Sequence, residues 1–195
     1  MSWSKYYNKD VKINEFLGNL YSHKEFLTCI LNYEPKKVLE IGCGTAGMSI
    51  FLSYLGLDIT AIDNDKNLLK KQKEIIKKFN SRVNLQYADA FSLPFKDNSF
   101  DLVFHQGFFE HFSNQEIYKL LKEQLRVSKI VVFSVPNNFY PQKDFGNERL
   151  MSKKQWEEIL KDFKLELSTN YSKKYFPKFY IPKAFIQYMA IIKNK

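Results

Sequence analysis

Arginine is scarce in this chain although lysine is abundant. The 195 residues carry a formal net charge of +9, yet the arginines are Arg82, Arg126 and Arg149 alone. Arginine is better suited than lysine to forked phosphate recognition, and the lysines are scattered over predicted helix faces. A positive charge is compatible with a nucleic-acid partner, but this distribution does not favour one.

Long apolar runs and clustered cysteines are absent as well. No stretch reaches the roughly 18 apolar residues of a membrane span. Residues 1–16 are polar and lack the apolar core of a signal peptide, so the sequence predicts a cytoplasmic protein. Cys29 and Cys43 have neither disulfide-motif nor metal-ligand spacing, and no metal site is predicted.

The hydrophobic pattern predicts one domain over residues 1–195. Helical periodicity covers about residues 10–32 and stops at Pro35, and it includes His23, which we expect to be solvated. Strands are predicted where short apolar runs recur: 36–42, 57–63, 82–89, 99–106, 129–136, 165–171 and 184–192. Helices are predicted at 46–55, 65–79, 114–127 and 152–163. The alternation of strands with helices up to residue 136 predicts an α/β, doubly wound, mostly parallel sheet.

A glycine motif follows the first predicted strand. Gly42, Gly44 and Gly47 fit the pattern G-x-G-x-x-G, and Asp63 follows about 20 residues later. This arrangement between a strand and a helix is typical of a loop that holds an adenosine cofactor, and Asp63 stands where a ribose partner is expected. By itself the motif does not distinguish a nicotinamide dinucleotide from other adenosine cofactors.

Glu40 distinguishes between these cofactors. It lies inside the first strand, two residues before Gly42, where we expect its carboxylate to point toward the crevice at the strand's end. A carboxylate there would repel a pyrophosphate and attract the ammonium group of an amino-acid moiety. The remaining chain is also short for the second half-sheet of a dinucleotide enzyme.

Four blocks in order, VLEIGCGTAG, ITAIDND, YADAFSLPF and SFDLVFHQGFFEHF, carry a family resemblance. They resemble the class I S-adenosylmethionine-dependent methyltransferases, firmly over residues 36–136. The one departure is the third glycine, which stands at Gly47, with Ala46 in its usual place. The resemblance implies S-adenosylmethionine as cofactor and a seven-stranded sheet in the order 3-2-1-4-5-7-6 with strand 7 antiparallel, preceded by an N-terminal helical cap over residues 1–34.

The resemblance also implies cofactor contacts for particular residues. Asp63 would bind both ribose hydroxyls, Asn64 would lie beside the adenine, and the remaining contacts would come from Glu40, Gly42, Cys43, Gly44, Asp89, Ala90, His105 and Gln106. Glu40 and the glycines would shape the site of the methionine portion, and His105 and Gln106 would lie near the sulfonium. Simple turn chemistry is the alternative for Asp89 and Ala90, although the matching context favours a cofactor contact for Asp89.

Glu110 and His111 are the candidate catalytic residues. A histidine near its ordinary pKa can accept a hydroxyl proton, and Glu110 could orient it or bind the substrate. Because neighbours on a helix do not face the same way, we expect at most one of the two to point into the pocket. The pair would equally serve to hold the loop after the fourth strand.

The substrate is predicted from what surrounds this core. Aromatic residues are dense at Trp3, Tyr6 and Tyr7, in the loop 137–150 and in the segment 175–185, as suits a small organic ligand. Residues 137–195 are thus predicted to supply substrate-side loops and the last two strands. We expect a methyltransferase that acts on oxygen or nitrogen of a small molecule. An RNA or protein methyltransferase, or a cofactor-binding module without catalysis, is the alternative.

Overall fold

A computed structural model describes residues 3–7, 12–141, 143–174 and 184–194 of the chain. Seven strands form one sheet, and each predicted strand overlaps an observed one. The strands are Lys37–Ile41 (β1), Asp58–Asp63 (β2), Asn84–Tyr87 (β3), Leu102–Gln106 (β4), Ile130–Pro136 (β5), Lys164–Lys174 (β6) and Ala184–Lys193 (β7). Most of the predicted aromatic segment 175–185 lies outside the described residues.

Seven α-helices and one 3₁₀ helix are described around the sheet. They are Trp3–Tyr6 (α1), Ile13–Ser22 (α2), Lys24–Leu31 (α3), Gly47–Tyr54 (α4), Lys66–Lys78 (α5), the 3₁₀ helix Phe109–His111, Asn114–Val127 (α6) and Lys153–Leu160 (α7). The region predicted as one helical element near residues 10–32 is in fact two helices, which meet at His23. None of the described helices combines the length and apolarity that crossing a bilayer requires.

The strand order is β3-β2-β1-β4-β5-β7-β6, as the resemblance implied. Strands β1 to β5 pair in parallel, whereas β7 is antiparallel to β5 and β6. The chain leaves β1 toward β2 on one side and reaches β4 on the other, so a crevice opens at the carboxyl end of β1. Ligands of open α/β sheets bind at such a switch point.

Both faces of the sheet are buried, which explains the continuous apolar runs of its strands. Leu39 and Ile41 of β1 pack in one core, together with α6 and α7, while Val38 packs in the other, with α3 and α4. Because side chains alternate along a strand, Glu40 faces the same side as Val38. This alternation decides the orientation of several site residues.

Side-chain caps fix the helix starts that face the sheet's edge. Oδ1 of Asp65 accepts the N–H groups of Asn67 (2.9 Å) and Leu68 (3.1 Å) and so caps α5. Ser113 and Ser152 form reciprocal capping boxes at α6 and α7. Since Asp65 caps the helix, the nearby Asp63 is left to serve another purpose, as the sequence suggested.

His23 is buried, and the expectation that it is solvated is wrong. Its side chain is only 5% exposed, and its Nδ1 lies 2.6 Å from the hydroxyl of Tyr171 in β6. That hydroxyl lies 2.5 Å from Oγ of Ser134 in β5. The sequence of α2 and α3 carries no sign of this contact, because its partners lie more than a hundred residues away.

We predict that His23 makes folding stability sensitive to acid. Burial lowers the pKa of His23 to about 4, so between that value and the ordinary pKa of about 6.5 the unfolded chain binds a proton that the folded chain does not. Stability therefore falls as the pH falls through this range, by about 2 kcal/mol between pH 7 and pH 5 from this residue. Urea denaturation of wild type and His23→Gln at both pH values measures it.

The comparison separates two effects of the His23→Gln replacement. The difference in unfolding free energy at pH 7 reports the lost hydrogen bond and packing. The change in unfolding free energy from pH 7 to pH 5 is then compared between the two proteins, and this difference reports the titration of His23 alone. Equal slopes for both proteins would contradict the predicted role of His23.

Candidate active site

Two glycines in the turn after β1 combine positive φ angles with close contacts to aromatic side chains. Gly42 and Gly44 both have positive φ angles, +63° and +52°. A Cβ on Gly42 would lie 2.8 Å from the ring of Phe108, and one on Gly44 would lie 2.9 Å from Oη of Tyr7. The motif is therefore required by the close approach of two aromatic side chains to the backbone, besides any ligand.

A pocket of about 320 Å³ opens beside this turn at the carboxyl ends of β1 and β2. Six of the predicted cofactor residues line it: Gly42, Gly44, Asp63, Asn64, Asp89 and Ala90. Its apolar walls come from Ile41, Ile62, Leu68, Ala88 and Phe91, and its far side from Trp3, Tyr7, Phe108, His111, Phe112 and Phe145. With Gly107, Phe108 and His111 from the fourth block, the topology thus brings all four sequence blocks to one pocket.

Asp63 is the carboxylate of this pocket with the most constrained position. Its Oδ1 accepts the backbone N–H of Asp65 at 3.0 Å. Burial raises the pKa of Asp63, and bonds from backbone N–H groups, including those of Asp65 and Gly44, oppose that rise. A carboxylate held by the backbone in this way presents its remaining lone pairs as acceptors to hydroxyl groups.

Asp89 stabilises a local turn and also lines the pocket, so its position is compatible with a structural role and with a cofactor contact. Its Oδ1 accepts the N–H of Phe91 at 2.9 Å, which is an Asx turn. Asp89 and Ala90 nevertheless line the pocket on the side opposite the glycine turn.

Glu40 does not line the pocket, and its predicted orientation is wrong. Alternation along β1 turns it toward α4, where its Oε2 accepts a hydrogen bond from Ser49. Burial raises the pKa of Glu40 to about 8. The carboxylate lies behind the glycine turn and ties β1 to the first turns of α4. Cys43, which is also buried, does not line the pocket either.

The two residues that end β4 face opposite sides of the sheet. His105 is fully buried against the rings of Phe109, at 4.1 Å between centroids, and Phe133, at 5.6 Å. Burial lowers its pKa to about 3. His105 therefore lies away from both cavities, contrary to its predicted place near the sulfonium, whereas Gln106 faces a second cavity.

This second cavity, of about 250 Å³, adjoins the first. The two share Trp3, Tyr7, Gly107, His111 and Phe145 as a common wall. The other lining residues are Tyr6, Asn19, His23, Gln106, Glu110, Pro136, Tyr140, Asp144, Glu148 and Gln187. A ligand in the first pocket and a ligand in the second would therefore meet at Gly107 and His111.

Glu110 and His111 both reach this second cavity, so the expectation that at most one would do so is wrong. They lie on a 3₁₀ helix, Phe109–His111, and not on an α-helix. Nε2 of His111 lies 3.9 Å from Oε1 of Glu110. Glu110 is only 3% exposed, and burial raises its pKa to about 8.

The hydrogen bond of His111 determines which ring nitrogen carries the proton. Nδ1 lies 2.7 Å from Oδ1 of Asn147. An amide oxygen only accepts, so Nδ1 donates and Nε2 keeps its lone pair in the neutral ring. Burial lowers the pKa of His111, and the bond to Asn147 opposes that effect. The neutral ring can therefore accept a proton at Nε2 near neutral pH.

An aromatic cluster from the N-terminus covers the shared wall. Trp3 stacks on Phe145 with ring centroids 4.1 Å apart, and it meets the ring of His111 edge-on at 4.9 Å. The aromatic composition pointed to Trp3, Tyr6, Tyr7 and the loop 137–150. It did not single out Asn147, Glu148 or Gln187, because polar residues in a loop or a buried strand carry no local signal.

Metal ligands are not gathered at this site. Among the described residues, no three histidine, cysteine or acidic side chains lie close enough together to hold an ion.

The strand order of the sheet and the glycine turn at the end of β1 are those of the Rossmann-like methyltransferase fold. Comparisons with solved structures identify the same fold. The structure matches a Pyrococcus horikoshii protein with a TM-score of 0.77 at 20% identity, covering 98% of this chain and 96% of that one. It matches a SAM-dependent methyltransferase from Aquifex aeolicus with a TM-score of 0.73 at 18% identity, covering 98% of each. At such identities the matches establish the fold alone.

Sequence comparison adds the family. Residues 38–130 match the model of a methyltransferase domain. The chain is 43% identical to a demethylmenaquinone methyltransferase from Staphylococcus haemolyticus, over 49% of this chain and 48% of that protein. It is 32% identical to norajmaline N-methyltransferase from Rauvolfia serpentina, over 49% of this chain and 33% of that protein.

The chain thus contains a methyltransferase domain, over residues 38–130, and has the fold of the S-adenosylmethionine-dependent methyltransferases. It spans less than half the length of the curated relatives named above.

We predict that Gly44→Ala disturbs the site through Tyr7. The new Cβ would lie 2.9 Å from Oη of Tyr7, so the ring must move out of the common wall. We expect a lower melting temperature and weaker binding of S-adenosylhomocysteine, measured by thermal unfolding and titration calorimetry. Gly56→Ala is the matched control, because Gly56 has φ +89° and no atom within 4 Å of its Cβ position. Equal loss of affinity in both variants would exclude the contact with Tyr7 as the cause.

Proposed function

We propose that the protein is a methyltransferase that moves the methyl group of S-adenosylmethionine to an oxygen or nitrogen atom of a small organic molecule. One observation supports this most directly: a pocket bearing Asp63 adjoins a second cavity, and Trp3, Tyr7, Gly107, His111 and Phe145 line both. Adjoining cavities of this kind would hold two reactants side by side, and positioning supplies much of the rate enhancement in such transfers.

The residues of the first pocket fit the cofactor. Asp63 would accept hydrogen bonds from the ribose hydroxyls, and Asn64, Asp89 and Ala90 would surround the base. Gly44 lines the pocket without a Cβ, which would otherwise lie 2.9 Å from Oη of Tyr7, another lining residue. When bound, S-adenosylmethionine supplies an activated methyl group on a sulfonium.

The second cavity is suited to a small acceptor. Its volume of about 250 Å³ is near the lower end of typical small-ligand pockets, and aromatic side chains form much of its wall. Relatives of this chain include a demethylmenaquinone methyltransferase and norajmaline N-methyltransferase, whose names point to organic molecules. A small-molecule acceptor for this chain agrees with both.

His111 would serve as the proton acceptor where the acceptor atom is a hydroxyl oxygen. Its Nδ1 bond to Asn147 holds the ring and leaves the Nε2 lone pair free to accept that proton. The ionised form of Glu110, 3.9 Å away, would stabilise the imidazolium that forms, because an opposite charge at this distance favours the charged ring.

We predict that Asp63→Asn weakens cofactor binding while Asp58→Asn does not. The two aspartates lie at opposite ends of β2, and Asp58 is exposed far from the pocket. Loss of charge-assisted bonds should weaken S-adenosylhomocysteine binding by about 10- to 100-fold. Titration calorimetry on both variants measures it, with thermal unfolding confirming that both fold.

Nucleotide selectivity tests the proposal itself. S-adenosylmethionine and S-adenosylhomocysteine should raise the melting temperature of the wild-type protein, and NAD should not. Stabilisation by NAD alone would overturn the proposed function.

A further inference from the structure

The second cavity has a charge opposite to that of the whole protein. The chain carries a net charge of +9, yet three carboxylates line this cavity: Glu110, Asp144 and Glu148. Of the described residues that line it, none is a lysine or an arginine. The potential inside the cavity therefore favours a cation, although long-range attraction by the protein surface would favour an anion.

The three carboxylates are not equivalent. Glu148 accepts N–H groups from Phe145 and from Gly146, the latter at 2.8 Å, and Oδ2 of Asp144 accepts the hydroxyl of Tyr140 at 2.9 Å. Oε2 of Glu110, in contrast, has no hydrogen-bond partner among the described residues. Glu148 and Asp144 hold the loop 144–148 in place, and Glu110 is the carboxylate left for a ligand.

A second residue of this cavity, Gln187, also has an unpaired acceptor. Oε1 of Gln187 in β7 is buried and has no partner among the described residues, and Gln187 lines the same cavity. A buried acceptor without a donor costs about 1–3 kcal/mol. A ligand that brings hydrogen-bond donors would remove this cost at both residues, whereas a ligand with acceptors alone would not.

Aromatic rings complete the cavity in a form that suits a cation. Trp3, Tyr6, Tyr7, Tyr140 and Phe145 line it, and ring faces attract ammonium groups when water is excluded. Trp3 and Phe145 are stacked at 4.1 Å, so their position is mutually fixed. The cavity therefore offers an ammonium group three favourable partners. They are a carboxylate, an amide oxygen without a hydrogen-bond donor, and aromatic rings.

We propose that the acceptor of this methyltransferase is a small amine that enters the second cavity as an ammonium ion and pairs with Glu110. The inference rests on the proposed function and names the class of substrate for it. An ammonium within reach also favours the ionised form of the buried carboxylate, so the pair stabilises the charge of both partners.

The proton and electron balance of the transfer is simple with this assignment. The ammonium gives one proton to the Glu110 carboxylate, and the nitrogen regains its lone pair. The nitrogen then uses that pair to form the new C–N bond, while the electrons of the breaking C–S bond stay on sulfur. Glu110 later releases its proton to water, and the product leaves as a methylated ammonium ion.

Binding of a matched pair of probes tests the proposal. 2-Phenylethylamine and 2-phenylethanol differ in the ammonium or hydroxyl group that each carries, and both are titrated into protein saturated with S-adenosylhomocysteine. We expect the amine to bind at least about tenfold more tightly to wild type, from one charge-assisted pair. Equal affinities, or no binding of the amine at millimolar concentration, would overturn the inference without any variant.

Variants then assign the preference to one side chain. Glu110→Gln keeps the shape and removes the charge, and it should reduce the amine preference to about threefold or less. Glu74→Gln removes the same charge from the exposed face of α5 and should keep the full preference. A Glu110→Gln protein that retains the tenfold preference would remove Glu110 from the site.

The failure of this inference is distinguishable from failure of the proposed function. Binding of S-adenosylhomocysteine is measured first on the same samples. Its absence in wild type would refute the proposed function, whereas its presence without amine preference would refute the amine alone.

Discussion

One carbonyl group fixes the geometry on which the whole site depends. The C=O of Ile62 accepts N–H groups from Gly42 at 3.0 Å and Cys43 at 3.2 Å, so the turn after β1 is bound across the end of β2. This places Asp63, the next residue along β2, directly beside the glycine turn. Because β1 also pairs with β4, the same turn faces Gly107, and both cavities take their positions from it.

Two buried glutamates differ in whether the protein itself satisfies their hydrogen bonds. Glu40 and Glu110 are almost fully enclosed, and burial raises the pKa of each to about 8. Ser49 satisfies Glu40 within the scaffold, whereas one oxygen of Glu110 is left without a partner. Buried polar groups in proteins are normally satisfied, so an exception beside a cavity points to the ligand as the missing partner.

The core of the site was predictable because it is local in sequence. The glycine motif, Asp63 and Asp89 each follow a strand whose apolar run is visible in the sequence, and parallel strands bring their ends together. Predictions failed where they depended on orientation. Glu40 and His105 lie within strands, and pleating turned both away from the pocket that their neighbours line. Glu110 and His111 both line the second cavity although neighbours on a 3₁₀ helix point about 120° apart, so the cavity's shape, which the sequence does not show, brings them together.

By itself, the sequence determined the alternation of strands with helices and the end of the sheet at which a ligand would bind, since these follow from hydrophobic periodicity and from motifs a few residues long. The strand order and the cofactor class came from the family resemblance of four sequence blocks. Only the tertiary structure decided which side chains line the second cavity and which of their polar atoms are unpaired. Trp3, Phe145, Glu148 and Gln187 meet there from distant parts of the chain, and no local pattern encodes their meeting. Packing between distant segments sets which acceptors find donors and which are left for a ligand.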